Sequence, residues 1–259
     1  MSEYQNLIDL VIHTVRDCAD YLRAIQEEHL NDYSYSTNLK NEVKSRLDFL
    51  LDDRILTNLK QTGFSILSEE SGMLKGSNHR EEYFIVDPLD GTLNFIRNSG
   101  PSAISIAFWN SKEPIFGVIY NLRESILYWG GKNYGSFQEE KQINTSKISM
   151  EKGTLFTGFP VRVNKNDEGF QKEFWEIINK FSKIRMIGSA SLSLLNIARG
   201  SGECYYEKSI MLWDVAAGLA ILKGAGGEFQ MIGSNPDQLF SYDIFATNGI
   251  IKTMTDKDS

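Results

Sequence analysis

Apolar residues recur every three or four positions in two stretches near the start of the chain, which is the spacing of one buried helix face. The first stretch predicts a helix from about residue 5 to 28, and the second predicts a helix from about residue 43 to 59. Between them, residues 29–37 are polar and rich in Tyr, Ser and Asn, which favours a loop or a lid. The apolar positions are Leu7, Ile8, Val11, Val15, Ala19, Leu22 and Ile25 in the first helix, and Val43, Leu47, Leu50, Leu51, Ile55 and Leu59 in the second.

Short β-branched and aromatic runs then indicate strands. Two such runs, 64–67 and 83–86, follow the second helix. The glycine-rich segment 130–135 lacks the spacing of a P-loop and predicts a hairpin turn. Three further runs are separated by short polar turns, the pattern of an antiparallel meander; they cover residues 102–108, 115–120 and 125–129.

The polar segment 139–152 predicts a boundary between two subdomains. We therefore expect an N-terminal α+β subdomain over residues 1–145 and a C-terminal α/β subdomain over residues 146–259, because strands and helices alternate beyond the boundary. The predicted helices there are 169–181, 191–199 and 213–223, and the predicted strands are 155–157, 184–186, 203–206, 228–231 and 244–247.

The composition of the 259 residues excludes several protein classes. Hydrophobic residues make up 41% and charged residues 24%, which is typical of a globular protein and excludes a disordered chain. The longest apolar stretches, such as 103–109, are too short to cross a bilayer, and the first residues lack the basic region of a secretory signal. Cys18 and Cys204 form no disulfide framework. These features predict a cytoplasmic protein without a membrane partner.

The charge balance argues against nucleic acid as a partner. The chain carries 27 basic and 34 acidic residues, a net charge of −7, whereas nucleic-acid binding depends on a basic face. A small phosphorylated ligand remains compatible with this balance, because a bound metal ion can supply positive charge locally.

The segment DPLDGT at residues 87–92 carries the clearest chemical signal. An apolar strand ends in Asp87, a proline fixes the turn, and Asp90 follows three positions later. Two carboxylates and the carbonyl of Leu89 between them form an oxygen-only set of the kind that Mg²⁺ prefers. The N–H groups of Gly91 and Thr92 open a helix and suit a phosphate. The alternative is a plain strand-to-helix turn with Asp90 as its N-cap.

Other acidic residues have equally ordinary explanations when taken singly. Glu69 and Glu70 follow the strand 64–67, where solvent exposure is the default, and Asp214 opens an apolar helix, where an N-cap is the default. Asp48 lies on the second helix, where solvation is the default. If the fold brings Glu69, Asp87, Asp90 and Asp214 together, they need two or three cations, and such a site performs metal-assisted phosphoryl hydrolysis.

Three segments together resemble the signature motifs of the inositol monophosphatase family: Glu69-Glu70, DPLDGT at 87–92 and WDVAAG at 213–218. They occur in the order and at the spacing of that family, and the likeness runs from about residue 43 to 248. The resemblance implies a layered αβαβα sandwich of the sugar phosphatase type and Mg²⁺ as cofactor, with two or three ions. It further implies a homodimer and sensitivity to lithium.

The family's residue roles can be carried over to matching positions. Asp48 and Thr92 match the pair that orients or activates the attacking water, and Glu70 matches a residue that acts beside the ligands or through water. The implied metal ligands are Glu69, Asp87, Leu89 through its carbonyl, Asp90 and Asp214. The implied substrate contacts are Gly91, Thr92, Gly188, Ser189, Ala190 and Glu207.

The implied activity is the hydrolysis of a small phosphorylated polyol or sugar, such as inositol monophosphate, by a phosphoric monoester hydrolase. Glu207 favours a hydroxyl-rich substrate, because a carboxylate accepts protons from two vicinal hydroxyls. The alternatives within the superfamily are a 3′(2′),5′-bisphosphate nucleotidase, a fructose-1,6-bisphosphatase and a histidinol-phosphate phosphatase. A non-catalytic binding or dimerisation protein is the alternative of a different class.

Overall fold

The computed structural model describes residues 4–28, 35–36, 44–111, 113–159, 164–233 and 239–252. The helices are α1 Gln5–Glu28, α2 Arg46–Lys60, α3 Thr92–Arg97, α4 Glu168–Ile178, α5 Ala190–Ala198 and α6 Leu212–Gly224, with a 3₁₀ turn at Met150–Lys152. The strands are β1 Tyr35–Ser36, β2 Lys44–Ser45, β3 Ser65–Ser68, β4 Gly72–Leu74, β5 Tyr83–Asp90, β6 Ala103–Trp109, β7 Pro114–Asn121, β8 Ile126–Gly131, β9 Gly135–Gln138, β10 Lys141–Gln142, β11 Thr154–Thr157, β12 Lys183–Arg185, β13 Cys204–Met211, β14 Glu228–Gly233 and β15 Ser241–Thr247.

The elements stack in five layers, as the family resemblance implies. Helices α1 and α2 cover one face of an eight-stranded sheet, and α5 and α6 lie between its other face and a five-stranded sheet. Helix α4 packs on the outer face of the second sheet. Neighbouring residues of β5 show that both faces of the first sheet are buried. Phe84 and Val86 point to α1 and α2, whereas Ile85 points to α5 and α6. The side chains of a central strand alternate between two apolar layers.

The first sheet has the order β10-β9-β8-β7-β6-β5-β3-β4. The predicted meander is confirmed, because β5 to β10 pair antiparallel in chain order, and the glycine-rich segment 130–135 forms the turn between β8 and β9. Strand β3 pairs parallel to β5, since the unpredicted strand β4 returns the chain before β5 begins. Ser68 therefore lies opposite Val86, and the residues that follow both strands emerge at the same edge.

The second sheet is mixed and has the order β12-β11-β13-β15-β14. Strands β12, β11 and β13 are parallel, and β15 pairs antiparallel with both β13 and β14. The register of β13 against β15 shifts between Glu207 and Ile210, with Ser209 at a positive φ of 53°. This bulge follows Glu207 directly and changes the direction in which the strand leaves it.

Two predicted boundaries are wrong. Helix α2 begins at Arg46 rather than near residue 43, because Lys44 and Ser45 form β2 and pair with β1. Apart from β1, the predicted lid at residues 29–37 lies outside the described residues. Strand β5 does not end at residue 86 but continues to Asp90 through a bulge. Within the described ranges, no helix has both the length and the apolar character needed to cross a membrane.

Candidate active site

Carboxylates from three separate elements converge at one edge of the first sheet. Glu69 follows β3, Asp87 lies in β5 and Asp214 lies in the first turn of α6. One carboxylate oxygen from each lies within 4.8 Å of the oxygens of the other two. Three oxygens at this spacing are able to ligate one hard divalent cation, which takes carboxylate ligands readily.

The backbone around Asp87 explains how this side chain reaches the site. The register of β5 against β6 shifts between Asp87 and Asp90, so that β5 bulges where Pro88 has no N–H to offer the ladder. The N–H of Leu89 donates to Asp87 Oδ1 over 3.0 Å. Asp87 Oδ2 is buried and has no hydrogen-bond partner within the described residues. A buried carboxylate oxygen without a donor is costly, and a bound cation would satisfy it.

The charge of the cluster points to the same ligand. Burial raises the pKa of Asp87 well above its ordinary value, and the carboxylates of Glu69, Asp90 and Asp214 raise it further. Burial likewise raises the pKa of Asp214, and the charges of Glu69 and Asp90 raise it further. Like charges held this closely disfavour one another unless a cation lies between them.

Asp214 is not an N-cap, so that alternative is wrong. Helix α6 begins at Leu212, and Asp214 is its third residue. Its Oδ2 accepts a hydrogen bond from the N–H of Met211 over 3.3 Å, which turns the carboxylate back toward the helix start. The same bond lowers the pKa of Asp214, although burial and the neighbouring carboxylates prevail.

Asp90 is buried beside the three converging carboxylates but is not one of them. Its Oδ2 accepts hydrogen bonds from Ser189 Oγ at 2.6 Å, from the Ser191 N–H at 2.9 Å and from Ser191 Oγ. Burial raises the pKa of Asp90, while the hydrogen bonds from the hydroxyls of Ser189 and Ser191 and from the N–H groups of Ser191 and Ala190 lower it. Asp90 therefore joins β5 to the start of α5. The N-cap of α3 is Gly91, so the interpretation of Asp90 as a cap is wrong.

Thr92 and Asp48 form a hydrogen-bonded pair across 44 positions of sequence. Thr92 Oγ lies 2.8 Å from Asp48 Oδ1 and 2.9 Å from the carbonyl oxygen of Leu89. A hydroxyl has one proton and donates to one of these acceptors at a time. Asp48 is only 2% exposed, so the predicted solvation of this helix face is wrong.

The two predicted substrate-binding turns lie against each other. Gly91 has a φ of 81°, and a Cβ there would lie 3.1 Å from the carbonyl oxygen of Gly188. Asn94 Nδ2 donates to the carbonyl oxygens of Ile187 at 2.7 Å and of Pro101 at 2.9 Å. Ser189 caps α5, since its Oγ accepts from the N–H of Leu192.

Glu207 lies in β13, buried on the side that faces Asp90. Tyr205 donates its phenol proton to Glu207 Oε2 over 2.7 Å. Burial raises the pKa of Glu207 to about 7, and the charge of Asp90 adds to this, while the bond from Tyr205 lowers it. A Cβ at Gly158 would lie 2.6 Å from Glu207 Oε1, so only glycine leaves room for this carboxylate.

The interpretation of the sequence missed several residues of this region. Asn94, Tyr205 and Gly158 occur without a recognisable motif, and no signal in the chain marks their contacts. The sequence does contain a signal for Asp52, because this residue follows Asp48 by four positions and lies among the apolar residues of the buried face of α2. Glu70 is half-buried, and its N–H donates to Ser68 Oγ over 3.2 Å.

Comparison with known proteins agrees with the geometry of this site. The model of the inositol monophosphatase family matches residues 5–258. An inositol-1-monophosphatase of Caulobacter vibrioides is 31% identical over 229 residues, which cover 84% of this chain and 89% of that protein. A fructose-1,6-bisphosphatase/inositol-1-monophosphatase of Aquifex aeolicus is 32% identical over 169 residues, which cover 65% of this chain and 63% of that protein.

A solved structure shows the same fold. The extragenic suppressor protein suhB from Bartonella henselae superposes with a TM-score of 0.83 at 26% identity, covering 95% of each chain. The family match over nearly the whole chain and the shared fold together show that this chain belongs to the inositol monophosphatase family and is a phosphoric monoester hydrolase.

Proposed function

We propose that this chain hydrolyses the phosphate monoester of a small polyol or sugar, with inositol monophosphate as the reference substrate and Mg²⁺ as cofactor. The observation that supports this most strongly is the convergence of Glu69, Asp87 and Asp214, where the buried Oδ2 of Asp87 has no donor among the described residues. Glu207 and the turn at Gly188 lie beside this cluster on the side of Asp90.

The ligands proposed for two or three Mg²⁺ ions are oxygen atoms only. Glu69, Asp87 and Asp214 would each supply one carboxylate oxygen to the same ion, because these oxygens lie within 4.8 Å of one another. Asp90 and the carbonyl of Leu89 would complete the set, although Oδ2 of Asp90 also accepts hydrogen bonds from Ser189 and Ser191 at the start of α5. When bound, such ions neutralise the phosphate, lower the pKa of the attacking water and stabilise the leaving oxygen.

The hydrogen-bonded pair of Thr92 and Asp48 is suited to accept a proton from the attacking water. Because Thr92 Oγ donates to Asp48 Oδ1, its lone pairs are free to accept a proton from a water molecule. As the water oxygen bonds to phosphorus and the ester P–O bond breaks, the water proton passes to this pair, and the leaving alkoxide takes a proton from solvent. Glu70, one residue beyond Glu69, would act beside this water.

Substrate recognition would be shared between two regions. The backbone N–H groups of Gly91 and Thr92 would contact the phosphate, as the family resemblance implies. Glu207 would accept hydroxyl protons of the polyol, with Gly188, Ser189 and Ala190 forming the wall between them. Ionised Glu207 is held by Tyr205, which leaves its other oxygen for a substrate hydroxyl.

Fructose 1,6-bisphosphate is the second candidate substrate, because the relative from Aquifex aeolicus is named for both activities. A bisphosphate nucleotide is the third. A non-catalytic role remains the contrasting hypothesis, and the charge of the carboxylate cluster argues against it, since an unneutralised cluster would only destabilise the fold.

The remaining properties proposed for this chain come from the resemblance and from its composition. We propose inhibition by lithium, assembly as a homodimer and a cytoplasmic setting without a nucleic-acid partner. Two buried free thiols, Cys18 and Cys204, are suited to a reducing compartment.

Release of inorganic phosphate from a substrate panel tests the proposal. The panel contains inositol 1-phosphate, fructose 1,6-bisphosphate, an adenosine bisphosphate and glycerol phosphate, each with and without Mg²⁺. We expect Mg²⁺-dependent release that is greatest with a polyol phosphate and absent in Asp87→Asn. Release that survives this substitution would place the chemistry elsewhere, and a folded, Mg²⁺-binding protein inactive on the whole panel would favour the binding role.

A further inference from the structure

Asp52 is a buried carboxylate to which the proposed mechanism gives no role. It is 3% exposed and lies on α2, four residues after Asp48, so both side chains project from the same face of the helix. Asp48 bonds to Thr92. Asp52 is directed instead toward the turn between β3 and β4, which carries Glu69 and Glu70.

Asp52 holds both ends of that turn. Its Oδ1 accepts a hydrogen bond from Ser68 Oγ, and its Oδ2 accepts one from Ser71 Oγ. Ser68 Oγ in turn accepts from the N–H of Glu70 over 3.2 Å. The two oxygens of one carboxylate therefore bracket Glu69 and Glu70 on either side.

Among the described residues, two supports help to hold Glu69 in place. Its N–H donates to the carbonyl oxygen of Val86 over 3.1 Å, which extends the parallel pairing of β3 and β5 by one residue. Asp52 provides the second support through its hydrogen bonds to Ser68 and Ser71, on either side of Glu69 and Glu70. Glu69 faces Asp87 and Asp214, whose charges repel it, and a turn without the second support would let it move away from them.

We propose that Asp52 is a positioning residue of the cation site, which holds the turn 68–71 so that Glu69 stays directed at Asp87 and Asp214. This inference rests on the proposed function only in requiring that the cluster bind a divalent cation. Asp52 acts through its hydrogen bonds to two serine hydroxyls, and removing such supporting bonds from a metal site typically weakens metal binding about 10- to 100-fold.

Calorimetric titration of the substrate-free enzyme with Mg²⁺ tests this role without reference to catalysis. In Asp52→Ala we expect Mg²⁺ binding to weaken about tenfold or more, and the amides of Glu69 and Glu70 to exchange hydrogen faster. Asp52→Asn should bind nearly as tightly as the wild type, because an amide can accept from one hydroxyl and donate to the other. Asp53→Asn, an exposed change at the next position of α2, is the matched control and should change neither quantity.

Three results would overturn the proposal. Two concern a folded Asp52→Ala: wild-type affinity for Mg²⁺, or wild-type hydrogen exchange at the amide of Glu69. The third is an Asp52→Asn that binds Mg²⁺ as weakly as Asp52→Ala, which would show that only the charge of Asp52 matters. If Asp52→Ala does not fold, Ser71→Ala decides, since Ser71 is exposed and its loss removes one of the two bonds. That variant should bind Mg²⁺ more weakly by a few fold, and unchanged binding would contradict the role. A wild type that binds Mg²⁺ but releases no phosphate contradicts the proposed function alone.

Discussion

Gly158 lies directly against the carboxylate of Glu207, so close that a Cβ on Gly158 would be 2.6 Å from Oε1 and 2.7 Å from Oε2. Gly158 follows β11, and Glu207 lies in the neighbouring parallel strand β13. The absence of a side chain at one position therefore sets where the carboxylate of the other can be.

Gly158→Ala should displace Glu207 and raise the KM for a polyol phosphate by about tenfold or more, because a shift of about 1 Å in a substrate-positioning group can cost on the order of 100-fold. Steady-state phosphate release measures this. Gly233→Ala is the control, since a Cβ there would meet no atom of the described residues within 4 Å. Equal KM values for the two variants would show that Glu207 does not contact the substrate.

Tyr205→Phe should change how substrate binding depends on pH. The bond from Tyr205 lowers the pKa of Glu207, which burial raises to about 7, so its removal raises that pKa further. Ionised Glu207 accepts a hydrogen bond from a substrate hydroxyl more strongly than the protonated form does, so KM should fall as the pH rises. In Tyr205→Phe this fall should occur at higher pH. KM profiles of wild type, Tyr205→Phe and Glu207→Gln test this. The profile of Glu207→Gln should lose the transition, and a transition that persists there would assign it to another group.

Asn94→Asp should destabilise the fold by about 1–3 kcal/mol, because the lost amide donors leave the carbonyls of Ile187 and Pro101 facing a carboxylate. Urea denaturation measures the free energy of unfolding. Asn98→Asp is a matched change at the C-cap of α3, where a φ of 47° tolerates aspartate. Asn94→Asp should lose more stability than this control, and equal losses would mean that Asn94 does not join the two turns.

The metal-free protein should become less stable as the pH rises. The pKa of Asp87 is raised in the folded protein, so the folded chain binds a proton that the unfolded chain has released above the ordinary value of 3.8. The free energy of unfolding therefore falls as the pH rises from that value toward the raised one. Denaturation in a chelating buffer at about pH 5 and about pH 8 measures the difference.

Asp87→Asn provides the test of that assignment. Asparagine at position 87 keeps the acceptor for the N–H of Leu89 and replaces the unpaired Oδ2 with a donor that faces carboxylates. Without metal at about pH 8, the variant should be more stable than the wild type, because the neutral amide removes one of the buried like charges. A variant that is less stable under these conditions would contradict the proposed charge repulsion.

Much of the fold follows from local patterns in the sequence. The amphipathic spacing of α1 and the β-branched runs of β6 to β8 reflect which faces are buried, and the structure confirms these elements. The C-terminal end of β5 could not be predicted, although its start at Tyr83 was, because Pro88 and Asp87 are typical of a strand end. Only pairing with β6, a long-range contact, carries the strand through them as a bulge.

Some residues of the candidate site could be predicted from the sequence, and others could be recognised only from the structure. Residues in recognisable motifs, such as Asp87 and Asp214, were identified from the sequence, and the structure brings them together with Glu69. Gly158 was missed, since it acts through a contact with a distant residue and has no distinctive local pattern. Asp52 was missed although it lies among the apolar residues of the buried face of α2, because its partners Ser68 and Ser71 are distant in the sequence. The structure also shows Asp90 hydrogen-bonded to Ser189 and Ser191 at the start of α5, a contact that no local pattern predicts.

Anomalous diffraction from crystals of this protein grown with Mn²⁺, a substitute for Mg²⁺ with a measurable anomalous signal, shows whether the three carboxylates hold a divalent cation. We expect an anomalous peak within ligand distance of Asp87 Oδ2, of Glu69 and of Asp214, and its loss in crystals of Asp87→Asn. Crystals in which no such peak lies between these three carboxylates, while Mn²⁺ supports phosphate release, would contradict the proposed cation site.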